Sequence, residues 1–273
     1  MKGGGTLYVV ATPIGNLEDL TYRAARILGE VDAIACEDTR HSRALLEHYG
    51  IHKPLLSYYR EREAERAAAI LARLAAGEAI ALISDAGAPL LSDPGARLVA
   101  QAAAAGVRVV PVPGASAPVT ALMASGLAAE ADSPLVFPGF LPARATARRH
   151  CLGKYVAWTG PVVFFETPHR LLAALGDMEE IWGPDRPLVI ARELTKIHEE
   201  IFRGSVAAAR AHFTAHPPRG EFTLIAGAAA STPAPVAADP PADPATLKPW
   251  ARQQGLSRSE AYRRWQARYT KKD

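Results

Sequence analysis

EAIALISDAGAPLLSDPG, residues 78–95, sets a short apolar run directly before a turn holding two aspartates, two glycines and two prolines. The run Ala79–Ser84 is too short for a helix and ends in turn residues, so it reads as a buried strand. In an α/β sheet, ligands bind where strands end at their carboxyl edge, which is where Ser84, Asp85, Ala86 and Gly87 fall. Asp85 and Asp93 would repel a phosphate. A carboxylate suits ribose hydroxyls or an ammonium group, and a glycine lets a ligand approach the backbone closely. A nucleoside with cationic groups and no phosphate fits, and S-adenosylmethionine is such a molecule. Ser92 and Asp93 before Pro94 also have the chemistry of a helix N-cap. Asp93 is therefore assigned to the cap and Asp85 to the ligand.

Outward from this stretch, the first half repeats the same unit. LYVVAT (7–12), VDAIAC (31–36) and VRVVPVP (107–113) are further short apolar runs. Between them lie helical patterns, including REREAERAAAILARLAAG (60–77), stopped by Gly77, and one near 94–105. Strands separated by single helices predict a parallel sheet with right-handed crossovers. Two more of its strands end in glycine turns, ATPIGN (11–16) and PVPGASA (111–117), where Ser116 can cap the next helix. Three such turns converge on one sheet edge. EDTRHSR (37–43) follows the second strand; one of Glu37 and Asp38 is expected to cap the next helix, and Arg40 and Arg43 share a helical face.

The second half differs. LVFPGFL (135–141), VVFFE (162–166), LVIAR (188–192), IFRGSV (201–206) and FTLIAG (222–227) read as five strands, with two strong helical stretches near 168–182 and 205–213. A mixed sheet is expected. The predicted organisation is thus an N-terminal parallel-sheet α/β domain over 1–127 and a mixed-sheet α/β domain over 128–229. A Pro-rich linker (230–244) and a helical extension (245–273) follow, with Ser257 and Glu260 as a capping box. The extension carries Lys248, Arg252, Arg258, Arg263, Arg264, Arg268, Lys271 and Lys272 against Glu260 and Asp273. A basic tail on a slightly acidic body suggests an anionic partner, nucleic acid foremost.

Composition agrees with a soluble globular chain: 273 residues, 49% hydrophobic and 22% charged, with a net charge of +3. The run LYVVA is too short for a signal peptide or membrane span, so a cytoplasmic protein without membrane partners is expected. Neither Cys36 and Cys151 nor the histidine pairs His48/His52 and His212/His216 have a metal-site pattern, and no metal is expected. No G-x-x-x-x-G-K-[ST] motif and no G-x-G-x-x-G after a strand occurs.

Taken in order, ATPIGNLEDLTYRA, ACEDTRHSRALLEHYGI, SDAGAPLLSDPG, PVPGASA, ETPHRL, ARELTKIHEE and GEFTLI resemble the bacterial small-subunit (16S) ribosomal RNA cytidine 2′-O-methyltransferases, of the tetrapyrrole methylase superfamily. The resemblance spans residues 6–227. It implies two α/β domains with S-adenosylmethionine in a cleft between them, a homodimer, and a decoding-region cytidine as substrate. Pro13, Gly15, Ser84, Asp85, Ala86, Gly87, Ser116, Ala117, Phe165 and Glu166 would surround the cofactor. Glu37, Asp38 and Arg40 would face the methyl acceptor, Asp38 or Glu37 as base and Arg40 orienting a phosphate. Arg43, Tyr59, Arg62, Arg170, Lys196, Arg263 and Arg264 are the expected RNA contacts. Two departures stand out. Where the family has a Ser-Tyr-His-Glu-His-Asn-like segment this chain has Ser57-Tyr58-Tyr59-Arg60-Glu61-Arg62, and Ala88 replaces a threonine. The rival readings are a tetrapyrrole C-methyltransferase and a non-catalytic, RNA-binding ribosome-assembly factor. The intact SDAG, PGASA and EDTR turns count against the second.

Overall fold

The computed structural model describes residues 4–127, 134–228, 240–241, 243, 246–253 and 258–269. The chain forms two compact units, residues 1–229 and 230–273.

The first unit contains two five-stranded sheets. In the first, β1 (Thr6–Val10), β2 (Ala33–Cys36), β3 (Leu55–Ser57), β4 (Ala79–Ile83) and β5 (Arg108–Val112) are all parallel, in the order β3-β2-β4-β1-β5. The helices between them are α1 (Tyr22–Glu30), α2 (Thr39–His48), α3 (Glu63–Ala75) and α4 (Ala96–Ala104), and α5 (Ala117–Ser125) follows β5. The apolar run of β4 shows why the sheet is covered twice. Ala81 and Ile83 pack with Ala24, Ile27, Leu28 and Leu46 of α1 and α2. Ile80 and Leu82 pack with Ile70, Leu74, Leu98 and Ala102 of α3 and α4. Side chains alternate across a strand, so a continuous apolar run demands a helical layer on each face.

The second sheet comprises β6 (Val136–Phe140), β7 (Val162–Glu166), β8 (Pro187–Arg192), β9 (Glu200–Ser205) and β10 (Phe222–Ala226), ordered β6-β7-β10-β8-β9. Only the β6–β7 pair is parallel, so the sheet is mixed as expected. One face carries α6 (Ala145–Gly153), α7 (Pro168–Trp182) and α8 (Val206–Ala215) over Phe164, Leu188, Ile190 and Leu224. Val163, Val189, Ala191 and Ile225 of its other face pack on Ile14 and on Ala121 of α5, which joins the two sheets.

One strand and one α-helix were not read from the sequence. β3 has only three residues, none fully buried, and so leaves no apolar run. α6 buries only Arg148 and Leu152. Its order rests on Arg148, whose guanidinium meets Asp177 of α7 at 2.6 Å. The charged helix expected from residue 60 begins with a 3-10 turn, Arg60–Arg62, before α3. The boundary expected at 127/128, most of the Pro-rich linker and Ser257 of the expected capping box lie outside the described residues. In the second unit, α9 (Leu247–Gln253) and α10 (Arg258–Tyr269) pack through Leu247, Ala251 and Ala261, with Trp250 and Trp265 against them. Tyr262 stacks on Trp265, which also meets Tyr269.

Candidate functional site

Two turns at the carboxyl edge of the parallel sheet are tied together by main chain. The Thr12 amide donates to the Gly87 carbonyl at 2.9 Å, and the Gly87 amide returns the bond to Thr12 at 3.1 Å. The buried Thr12 hydroxyl donates to the Ser84 carbonyl and the Ser84 hydroxyl to that of Gly87. Gly87 sits at φ +80°, and a Cβ there would lie 3.1 Å from Ile14 Cγ2. Ser84 therefore shapes the turn from within.

The rest of the loop is held from α3 and the turn before it. Leu90 and Ser92 both have φ +75°, a left-handed conformation uncommon for residues with a side chain. Arg60 donates to the Ser92 carbonyl at 3.0 Å. Glu63 accepts both the Gly95 amide and the hydroxyl of the fully buried Tyr58, each at 3.0 Å. The segment from Tyr58 to Glu63 thus braces the loop.

These turns border a cavity of about 440 Å³, an ordinary size for a small-molecule site. Asp85, Ala86 and Gly87 line it from β4, Ser116 and Ala117 from the start of α5, and Phe165 and Glu166 from the end of β7. Of the turn after β1, Ile14 lines it. Pro13 does not, and Gly15 lies in a neighbouring groove with Lys196, His48 and His198. Ser84 and Pro13 are buried behind the wall, and Gly15 is exposed at the neighbouring groove.

The carboxylates divide differently from expectation. Asp38 does not line the cavity. Its Oδ1 caps α2, accepting the amides of Arg40 at 2.7 Å and His41 at 3.3 Å. Those bonds, that from Arg40 first, hold its carboxyl below the usual range, which makes it a poor proton acceptor. Its own amide donates to Asp85 at 3.2 Å. Glu37 lines the cavity. Asp93 was assigned to a helix cap, but the N-cap of α4 is Gly95, with no side-chain bond, and Asp93 is in the cavity wall. Burial, then the charges of Glu37 and Asp85, push its carboxyl up to about 6, against the opposing pull of Arg60 and a Ser84 hydrogen bond. Glu166 is almost wholly buried. Its Oε1 takes the Thr167 amide and the Arg170 guanidinium, each at 2.7 Å, while Oε2 is buried without a partner.

The expected RNA contacts are scattered. Arg40 and Arg43 are exposed on α2 and Tyr59 is half-buried. Arg62 pairs with Glu65, Arg170 with Glu166, and Lys196 with Glu193 and Glu221. Lys196 is thereby an ion-pairing residue, its ammonium held charged by those two carboxylates despite the opposing effect of burial. Arg263 and Arg264 are exposed on α10. Cavity residues not read from the sequence include Phe140, Ala191, Leu194, Phe222 and Thr223. Only Thr223 left a signal, as the single polar residue in the otherwise apolar strand FTLIA. Among the described residues, no cluster of His, Cys, Asp or Glu is arranged to hold a metal ion.

The sequence model of the tetrapyrrole (corrin/porphyrin) methylases matches residues 6–210. Curated relatives called ribosomal RNA small subunit methyltransferase I are similar over most of the chain. The one from Synechocystis sp. is 48% identical, over 82% of this chain and 80% of its own length. That from Thermotoga maritima is 47% identical, over 81% and 97%. Among solved structures, uroporphyrin-III C-methyltransferase from Thermus thermophilus complexed with S-adenyl homocysteine aligns with a TM-score of 0.58. It is 16% identical and covers 81% of this chain and 97% of that one. A diphthine synthase aligns at 0.59 with 12% identity, covering 82% and 90%. At those identities the structures speak for the fold. Together with the turns that carry the motifs, the matches establish that this chain is a methyltransferase of the tetrapyrrole methylase family.

Proposed function

We propose that the protein transfers a methyl group from S-adenosylmethionine to the 2′-oxygen of a cytidine ribose in the decoding region of small-subunit ribosomal RNA, acting as a cytoplasmic homodimer. The observation that carries the reading is the identity of about half the aligned residues with relatives named for small-subunit ribosomal RNA methylation.

The wall chemistry fits the cofactor. A buried carboxylate oxygen without a partner, Glu166 Oε2, calls for a donor such as an ammonium or hydroxyl group. Asp85 adds a second acceptor, and Phe140 and Phe165 give aromatic surface. Asp85, Ala86, Gly87, Ser116, Ala117, Phe165 and Glu166 would hold S-adenosylmethionine. When bound, it supplies an electrophilic methyl group on a sulfonium centre.

The chain's own contribution is placement, exclusion of water and proton removal. Holding two reactants in one pocket is worth up to ~7–11 kcal/mol in ideal cases. Removing the proton of a weakly acidic hydroxyl adds roughly 10²–10⁴-fold. Exposed Arg40 and Arg43 on α2 are suited to phosphates flanking the acceptor nucleotide. The test is methyl transfer from labelled S-adenosylmethionine to unmethylated small subunits, with the labelled nucleotide mapped. Label on a ribose 2′-oxygen of a decoding-region cytidine supports the reading. Label on a base, or on a tetrapyrrole instead of RNA, rejects it.

A further inference from the structure

We propose that Asp93 is the catalytic base of this methyl transfer, its carboxylate taking the proton of the acceptor hydroxyl from the cavity wall it shares with Glu37 and Asp85. The assignment rests on the functional reading above. Three observations lead to it.

The first is position. Asp38 lies outside the cavity with its carboxylate engaged by α2, and Asp85 accepts the Asp38 amide; of the two remaining carboxylates on that side of the cavity, Glu37 and Asp93, Asp93 sits on the braced loop. The second is the way the loop is built. Leu90 and Ser92, both left-handed, flank the approach to Asp93. Arg60 anchors Ser92 and Glu63 anchors Gly95, one on each side of Asp93. Backbone held in sparsely populated conformations by outside contacts clusters at reacting centres. The third is placement: Asp93 lines the same cavity as Asp85, Ser116 and Glu166, the residues proposed to hold the cofactor, so it shares the space in which the methyl group is presented.

The groups acting on Asp93 are Glu37 after β2, Asp85 and Ser84 after β4, and Arg60 ahead of α3. The two carboxylates and burial favour its protonated form, Arg60 and Ser84 its ionised form. The balance leaves it at about 6, mostly ionised at neutral pH yet a stronger base than an ordinary carboxylate. The acceptor proton passes to Asp93 as the oxygen bonds to the methyl carbon and the carbon–sulfur bond breaks, leaving its electron pair on sulfur. The products are a methyl ether, a neutral thioether and protonated Asp93, which then gives its proton to solvent.

The test uses the full chain, unmethylated small subunits and S-adenosylmethionine, and compares the wild type with Asp93→Asn. Calorimetry should show cofactor affinity within about threefold of wild type, since the amide removes only the base. Turnover should fall ~10²–10⁴-fold, and the acidic limb of the wild-type kcat/KM profile, near pH 6, should vanish. A second readout needs no turnover: carboxyl ¹³C NMR of the cofactor-free protein should show Asp93 titrating near 6 and shifting downward in Glu37→Gln and Asp85→Asn. An Asp93→Asn enzyme with wild-type turnover, or one with an unchanged acidic limb, overturns the assignment and leaves the functional reading intact. Loss of cofactor affinity in step with activity overturns it too, making Asp93 a cofactor contact. A folded wild type that binds cofactor but methylates no RNA overturns both.

Discussion

Asp93 carries a cost in stability. Its folded pKa of about 6 lies above the ~3.9 of an unperturbed aspartate. Below pH 4 both folded and unfolded chains hold the proton and the site is not penalised. As pH rises through 6 the folded chain must ionise a crowded carboxyl, and stability is lost. Asp93→Asn escapes this, so it should melt higher than wild type at pH 7.5, by on the order of 1 kcal/mol after allowing for solvent screening. Melting curves at pH 4 and pH 7.5 check this; the gain should be absent at pH 4. Gly95 is the opposite case. With φ +128° and a Cβ that would lie 2.7 Å from Leu82 Cδ2, Gly95→Ala should destabilise by about 1–3 kcal/mol. Denaturant titration measures it. Asp93 itself shows why residue roles are only half legible. Asp before Pro-Gly has equal standing as a helix cap or a site residue, and only the third dimension shows that Gly95 opens α4 unaided.

Elements were legible wherever burial was two-sided. β4 could be read because both of its faces are covered, which forces an unbroken apolar run. The turns after β1, β4 and β5 could be read because glycine and proline mark them. β3 and α6 could not, since an edge strand of three residues and a helix held by an Arg–Asp pair have no apolar periodicity. Strand residues that line the cavity, Ala191 and Phe222 among them, look like any other core residues. The segment before α3 was expected to meet RNA with Tyr59 and Arg62. Tyr58, Arg60 and Glu63 of that region have a further role, supporting the cavity loop. Glu63→Ala would leave the Gly95 amide and the Tyr58 hydroxyl without their acceptor. Each buried polar group so orphaned costs about 1–3 kcal/mol. The expected outcome is a lower melting temperature together with weaker cofactor binding, read by calorimetry, although Glu63 does not line the cavity.

At the scale of the molecule, charge is divided between the two units. The second unit presents Arg263 and Arg264 with exposed Tyr262 on one short helix, a combination of cation and stacking surface suited to RNA. Removing residues 245–273 should leave cofactor affinity unchanged while weakening RNA binding. It should also flatten the dependence of that binding on salt, because fewer phosphates are neutralised. Filter binding across a salt series, beside cofactor calorimetry, separates the two effects. Equal salt slopes with and without the unit would show that it does not touch phosphate.

The paired amides of Thr12 and Gly87 join turns that are 75 residues apart in the chain. An excised peptide cannot imitate such a pocket, nor can a chain whose helices have yet to dock on the sheet. A cofactor held in this pocket would therefore be an assay of completeness. It would recognise only molecules that have finished folding and pull the population toward them by mass action. At a hundred times its Kd that amounts to about 2.7 kcal/mol, so during expression a supply of cofactor would act as a chaperone that works on the product instead of the intermediate.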